Sequence, residues 1–301
     1  MTGKRTRRTF LRESGAALAG IGLAGLAAPR LARAEPAKCS SPSAAKAGWL
    51  IGVQQYTFRS MSCYEALDKM AALGVQHLEA CFFLGLDKAR PQLKTCEDLP
   101  AEVRKEFKAK LADKGIAMSA FYANLGDDKD RAKKIFDFAK EMGSTTIVAE
   151  PPAAAFDAIE KLCDEYQINL AVHNHPGPQS AYWKPENVLA VCKGRGKRIG
   201  ACCDTGHWVR SGLDPIECLK LVQGRILGFH LKDVIEKGKP AARDVPLGEG
   251  KADYAAVLKE LKRQNYRGLM TIEYEHESPE LAQDVAQCVA FVENWVKEAG
   301  A

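Results

Sequence analysis

The sequence predicts an α/β chain closed as one (β/α)8 barrel, the TIM-barrel architecture, on three observations. Short apolar runs alternate eight times with longer amphipathic stretches between Trp49 and Glu298. Several of these runs end in Glu, Asp or His, where a parallel strand would open onto a common face. The stretch carrying the pattern also has the length of a single barrel, which is typically about 250 residues.

Strands are expected over Leu50–Phe58, Val75–Cys81, Ile116–Tyr122, Thr145–Glu150, Ile168–His173, Arg198–Asp204, Arg225–Leu231 and Gly268–Glu273. Helical periodicity lies between them, near 63–73, 100–114, 128–142, 153–166, 185–193, 214–222, 253–264 and 279–298. Gly74, Gly115 and Gly143 follow the first three helices, where a left-handed terminating residue is expected. Asp214-Pro215 and Ser278-Pro279 read as N-caps followed by Pro at the first helical position. Strands alternating with helices argue for parallel pairing, and eight units favour closure over an open sheet. No G-x-G-x-x-G follows the first strand and no Walker A loop is present. Two connectors are long, 82–99 and 232–252. Both leave the face where barrel active sites lie.

Residues 1–34 stand outside this pattern. Arg7-Arg8, an apolar Ala/Gly/Leu run from Ala16 to Ala28 and Ala32-Arg33-Ala34 read as a cleavable twin-arginine signal peptide. The run is about 13 residues, short of the ~20 needed to span a bilayer, so no stable membrane span is expected after cleavage. The expectation is export to the periplasm or beyond. Residues 35–48 (EPAKCSSPSAAKAG) read as a flexible tether, and 49–301 as the barrel.

Residues 1–34 hold seven of the 43 Lys and Arg and one of the 38 Asp and Glu. What remains is 267 of the 301 residues, with 36 basic and 37 acidic side chains. The net charge near −1 removes the electrostatic case for a nucleic-acid partner. The ten cysteines include no C-x-x-C and are expected to be mostly buried single thiols, without a disulfide framework.

The strand ends carry the chemistry. Glu150 closes TTIVAEPP, Asp204 closes RIGACCD with His207 three residues on, His230 and Lys232-Asp233 close ILGFHLKD, and Glu273 and Glu275 close LMTIEYE. Glu273 and Glu275 share one face of their strand by alternation, as do His173 and His175 in AVHNHPG. Any one of these could be a solvated carboxylate, a capping Asp or a satisfied core His. Five strand ends of the same character on one face point to a divalent metal site. Oxygen-rich ligation with imidazole suits Mn²⁺ or Co²⁺, with Mg²⁺ and Zn²⁺ also compatible. Such an ion polarises a carbonyl, and carboxylates beside it can move protons on and off carbon.

The order Glu150, Asp204-x-x-His207, His230-Leu231-Lys232-Asp233 and Glu273 resembles the xylose-isomerase-like TIM-barrel superfamily of sugar isomerases and epimerases. The resemblance covers about 49–298. It implies that Glu150, Asp204, His230 and Glu273 bind one divalent ion, and that Glu150 and Glu273 double as the acid/base pair of a metal-stabilised enediolate. It also implies that His207 contacts substrate oxygens, and His175, Lys232 and Glu275 are expected to bind substrate with it. DVPLGEG (Asp244–Gly250) resembles the superfamily's Pro/Gly loop, and Glu79 matches its frequent strand-two carboxylate. The segments VHNHPGP, CCDTGHW, RSGLDP, HLKD, DVPLGEG and IEYEHE look like an exported subgroup that includes 3-keto-glycoside lyases, in which the aglycone leaves by β-elimination.

The partner expected is therefore a sugar or glycoside, and the fold is compatible with a homodimer. The rival classes are a multi-zinc phosphodiesterase of the endonuclease IV type, which the charge argues against, and a non-catalytic exported sugar-binding protein. Phe82, Phe83 and Trp183, in loops after strands, are the aromatic residues best placed to touch a sugar.

Overall fold

Residues 41–300 are described here from a computed structural model. The signal peptide and the first part of the tether expected from the sequence lie outside the described residues.

In chain order the elements begin with α1 (Pro42–Lys46), β1 (Trp49–Gln54), α2 (Cys63–Leu73), β2 (His77–Cys81), β3 (Gly85–Asp87) and β4 (Arg90–Lys94). They continue with α3 (Ala101–Asp113), β5 (Ala117–Tyr122), α4 (Lys129–Met142), β6 (Thr146–Ala149), α5 (Phe156–Tyr166), β7 (Asn169–His173) and α6 (Pro185–Cys192). The last group is β8 (Ile199–Asp204), α7 (Thr205–Arg210), α8 (Pro215–Leu221), β9 (Ile226–Leu231), β10 (Asp233–Val234), β11 (Asp244–Val245), α9 (Tyr254–Arg263), β12 (Gly268–Ile272) and α10 (Leu281–Glu298). Eight strands close on themselves in the order β1-β12-β9-β8-β7-β6-β5-β2, all parallel. The barrel expected from the alternation is present.

A parallel strand wrapped by helices is buried on both faces, so its sequence is a continuous apolar run. In β8 (Ile-Gly-Ala-Cys-Cys-Asp) every residue is buried. Gly200 is required there, because a Cβ would stand 2.2 Å from the Arg225 carbonyl oxygen of the connection into β9. Inside the barrel, Ala120, Val148, Ala171 and Cys202 form a layer of small side chains, against which Tyr122, Leu227 and Leu269 pack. This layer leaves room toward the C-terminal rim, where longer polar side chains fill the interior. The helices bury their apolar stripes against the outside of the barrel, including Phe107, Phe136, Phe138, Val257 and Val292.

Helix ends follow the sequence signals. Ser62 and Glu65 form a reciprocal capping box on α2, and Asp214 caps α8 ahead of Pro215. Gly74 and Gly143 end α2 and α4 in the left-handed conformation, at φ 76° and 87°. Ser278-Pro279 does not start its helix directly, since α10 begins at Leu281.

Some features differ from the expectation: β1 ends at Gln54, and Gln55–Phe58, expected as strand, is a helical turn. The described end of the tether is partly helical: α1 has Ala44 buried, and the Ser43 and Ala44 amides donate at 3.0 Å to the Glu293 carboxylate of α10. The connector 82–99 folds into the antiparallel pair β3–β4, and 232–252 contains the pair β10–β11. All nine described cysteines are free and buried, Cys63 and Cys96 included, in keeping with single thiols. No described helix is long and apolar enough to cross a membrane.

Candidate active site and metal centre

Register brings the strand-end residues together. Asp204 of β8 pairs with His230 of β9, His230 lies in register beside Thr271 of β12, and His173 of β7 pairs with Cys202 of β8. Side chains at these positions that face the interior meet above the small-residue layer. His173, Asp204, His207, His230, Lys232 and Glu273 are all buried there.

The ligand-type atoms converge closely. His230 Nδ1 lies 3.1 Å from His173 Nε2, 3.0 Å from Glu273 Oε2 and 3.6 Å from Asp204 Oδ2, while His173 Nε2 lies 3.7 Å from Asp204 Oδ2. Donors at 2.0–2.2 Å from a single ion stand about 3–3.5 Å apart, so this spacing suits one metal. His173, Asp204, His207 and Glu273 offer donor atoms all within 4.8 Å of one another and form a possible metal-binding cluster. Asp204 Oδ2 is buried and accepts no hydrogen bond; the charge facing it is the Lys232 ammonium at 3.1 Å, so the oxygen lies where cations gather. The other oxygen, Oδ1, accepts the His207 amide at 2.8 Å and caps α7. Capping uses Oδ1 and leaves Oδ2 facing the cluster, so the two readings of Asp204 in the sequence are compatible within one carboxylate.

The imidazoles are oriented from behind. His230 Nε2 faces the Glu79 carboxylate at 2.9 and 3.1 Å, and Thr271 Oγ1 donates to the same group at 3.1 Å. His230 thus turns Nε2 to a carboxylate and Nδ1 to the cluster, the carboxylate–histidine arrangement common around bound metals. His173 Nδ1 faces Glu150 at 3.5 Å.

Glu150 itself belongs to a neighbouring group with His173 and His175, outside the set around Asp204 and Glu273. His175 Nδ1 donates to Glu150 Oε1, and Ser180 Oγ donates to Oε2 at 2.5 Å. Burial opposes the Glu150 carboxylate, but the bonds from His173 and His175 outweigh it and hold the group well below its ordinary range. Glu150 and His175 remain 20% and 40% exposed, at the open edge of the cluster.

Lys232 is the central cation. Nζ lies 3.1 Å from Asp204 Oδ2, 2.8 Å from Glu273 Oε2, 3.2 Å from Glu275 Oε1 and 3.1 Å from His207 Nε2. Burial disfavours its charge, but Asp204, Glu273 and Glu275 more than compensate and raise it well above the ordinary lysine range. Glycine at 206 makes this position available, since a Cβ there would come within 2.4 Å of Lys232 Cγ. His207, buried beside that ammonium, is pushed well below the ordinary imidazole range by burial, with Lys232 reinforcing the shift.

The residues singled out in the sequence are therefore grouped in three. Asp204, His230, Glu273, Lys232, Glu275 and His207 lie together, Glu150 and His175 form the adjacent open edge, and His173 links the two. Sequence reasoning missed Arg210, Asp244 and Ser180. Arg210 donates to Glu275, to Asp244 Oδ1 at 2.5 Å and to the Ala242 carbonyl at 3.1 Å, tying α7 to the 232–252 connector. Its spacing three residues after His207 on one helix was the available signal. Asp233 anchors the same connector, accepting the amides of Val234, Gly248, Gly250 and Ala252 at 2.9–3.0 Å. Trp183 lies against Gly177, with Lys184 Nζ 5.6 Å over its ring.

Fold and site together define a (β/α)8 barrel with a cluster of His and carboxylate groups at the C-terminal rim. The family model described as "Xylose isomerase-like TIM barrel" matches residues 67–295, and the chain belongs to that family. It is 36% identical over 101 residues to a protein of Escherichia coli K12 provisionally named L-ribulose-5-phosphate 3-epimerase SgbU, covering 32% of this chain and 35% of that one. It is 33% identical over 151 residues to an inosose dehydratase of Clostridium botulinum (strain Eklund 17B / Type B), covering 46% and 50%. The chain thus spans between a third and a half of the length of these curated relatives. An uncharacterized protein from Parabacteroides distasonis ATCC 8503 has the same fold at a TM-score of 0.66 and 33% identity, with 82% of this chain and 99% of that one covered.

Proposed function

We propose that this protein is a divalent-metal-dependent carbohydrate enzyme that removes the proton α to a sugar carbonyl. The observation that carries the reading is the convergence of His173 Nε2, Asp204 Oδ2, His230 Nδ1 and Glu273 Oε2 on one point. These four would hold the ion. In this ligand set His173 takes the place that the resemblance gave to Glu150. A mixed imidazole and carboxylate set suits Mn²⁺ or Co²⁺, and Zn²⁺ is also accommodated. When bound, the ion would polarise the substrate carbonyl and stabilise the negative charge that develops on its oxygen.

The protein's own groups do the rest. Glu150 is ionised, partly open and paired only with His and Ser, whereas Glu273 and Glu275 are both held by Lys232. That makes Glu150 the base for the α-proton, oriented by His175 and Ser180. Lys232 and His207 stand where they can hydrogen-bond substrate oxygens, with Glu275 behind Lys232. Glu273, if it returns a proton on the other face, completes isomerisation or epimerisation.

Elimination is the second reading, favoured by the likeness to an inosose dehydratase. In a 3-keto-glycoside, Glu150 takes the C2 proton, the C2 electron pair forms the C1–C2 double bond, and the C1–O bond breaks. The departing oxygen leaves with the pair of the broken C1–O bond and takes up a proton from solvent or from the acid form of Glu150.

The test is metal analysis with hydrogen exchange in D₂O on ketoses and 3-keto-glucosides, followed by NMR. The expected result is about one ion per chain and deuterium α to the carbonyl, with a rearranged sugar or a released aglycone deciding between the two outcomes. Neither metal nor exchange on any substrate would overturn the proposal in favour of a sugar-binding protein. The leader implies periplasmic action; cell fractionation of wild type and an Arg7→Lys/Arg8→Lys variant tests it, retention in the cytoplasm of the variant alone being expected.

A further inference from the structure

Beside the charged cluster the rim of the barrel is aromatic. The Tyr122 ring meets His173 edge-on at 5.8 Å, Phe82 stacks near Tyr122 at 6.2 Å, Phe83 meets Phe82 edge-on at 5.1 Å, and Tyr56 meets Phe83 at 5.9 Å. Tyr122 ends β5, Phe82 and Phe83 follow β2, and Tyr56 follows β1, so the ladder spans three adjacent strand ends. It begins in contact with a proposed metal ligand and ends at Phe83, one of few large apolar side chains exposed in the described residues, at 42%.

The cations closest to the cluster are already committed. Arg59 lies 4.8 Å over the Tyr56 ring, pairs with Glu277 at 3.3 Å and donates to the Glu275 carbonyl at 2.7 Å. Arg210 is held by Asp244 and Glu275, and Lys232 by Asp204, Glu273 and Glu275. A phosphorylated sugar would need a cation released from one of these pairs, whereas an uncharged ring needs only the aromatic faces.

We propose that Tyr122, Phe82 and Phe83 form a second subsite that takes the second ring of an uncharged glycoside, while the first ring lies over the charged cluster. This rests on the proposed carbohydrate function and narrows it to two-ring, non-phosphorylated substrates. An exposed Phe continuous with a reaction centre stacks on the apolar face of a ring, a contact worth about two- to tenfold in affinity.

The experiment measures binding of phenyl β-D-glucoside, methyl β-D-glucoside, glucose and glucose 6-phosphate to the full chain by calorimetry, with and without Mn²⁺. The expected result is a preference of about fivefold or more for the phenyl over the methyl glycoside, lost in Phe83→Ala and kept in Phe83→Trp. Glucose 6-phosphate should bind no better than glucose. A wild type without the preference, a Phe83→Ala variant that keeps it, or tighter binding of the phosphate would each overturn the subsite. Circular dichroism confirms that the variants fold, as the exposure of Phe83 predicts. A phenyl preference in a protein showing no α-exchange would leave the subsite standing and refute only the proposed chemistry.

Discussion

The two sides of the barrel mouth are built from opposite materials. On the side formed by β7, β8, β9 and β12, three imidazoles, a lysine and two carboxylates are buried within a few ångströms of one another. On the side formed by β1, β2 and β5, aromatic rings run from the interior to solvent. Burying charge is costly unless every group is paired, and here Lys232 meets Asp204, Glu273 and Glu275 at once. The aromatic rings carry no such cost, although β2 also sends the buried Glu79 across to His230, and the exposed Phe83 can change with little risk to the fold. The difference teaches that reactivity is concentrated where substitution is least tolerated, and ring recognition where it is cheap.

The strongest test of that division is Glu150→Gln, which keeps the shape and removes the base. Turnover and α-exchange should fall about 10³-fold, within the range for loss of a general base, while bound metal should be retained because the proposed ligand set leaves Glu150 out. Normal turnover would remove Glu150 from the mechanism, and loss of the metal would return it to the ligands.

Next comes Lys232→Ala, which leaves Asp204 and Glu273 buried without their ammonium. A loss of about 3–5 kcal/mol is expected in the metal-free protein, read as a lower midpoint in urea. Added Mn²⁺ should recover part of it by supplying the missing positive charge. A Phe83→Ala variant measured beside it should stay near wild type, and similar losses in both would dissolve the contrast.

All eight barrel strands were legible, to within one or two residues at most ends, because a strand buried on both faces leaves an unbroken apolar run such as Ile199–Cys203. The β1 run extended too far, to Phe58, because Gln55–Phe58 is apolar enough to pass for strand although it forms a helical turn. The hairpin β3–β4 was invisible: Arg90–Lys94 is largely polar, and its pairing is a backbone register of Gly85 with Lys94 and Asp87 with Arg90 that leaves no apolar alternation to read. Within the site, the family order pointed to Glu150, Asp204, His230 and Glu273. The standing of His173 was hidden because strand alternation shows that His173 and His175 share a face, without showing which reaches deeper. Arg210 and Asp244 were missed because they meet across 34 residues, through a connector with no periodicity to read.

A smaller effect is expected at Glu79, which touches His230 from behind. Glu79→Gln keeps the volume but loses the charge that fixes the His230 tautomer, so metal affinity should drop about 10- to 100-fold with the fold intact. Competition against a chelating dye measures it. Unchanged affinity would mean that Glu79 does not orient His230 and serves packing alone.

The mildest perturbation is of pH. In the metal-free protein burial raises the Glu275 carboxyl, but Lys232, His207 and Arg210 outweigh it and bring it down to about 2. Its unfolded value is near the ordinary ~4.3. Because the folded value is the lower one, the unfolded chain binds more protons between the two, and stability from this group falls as pH drops. Its contribution is complete above the unfolded value and disappears as pH falls through about 2. Glu275 is 23% exposed, so solvent screens part of the effect. Urea midpoints of the chelator-treated protein between pH 5 and 2.5 should therefore decline less steeply in Glu275→Gln than in wild type. Parallel slopes would show that Arg210 and Lys232 spend their charge on Asp244, Asp204 and Glu273, leaving Glu275 as a bystander at the edge of the charged side.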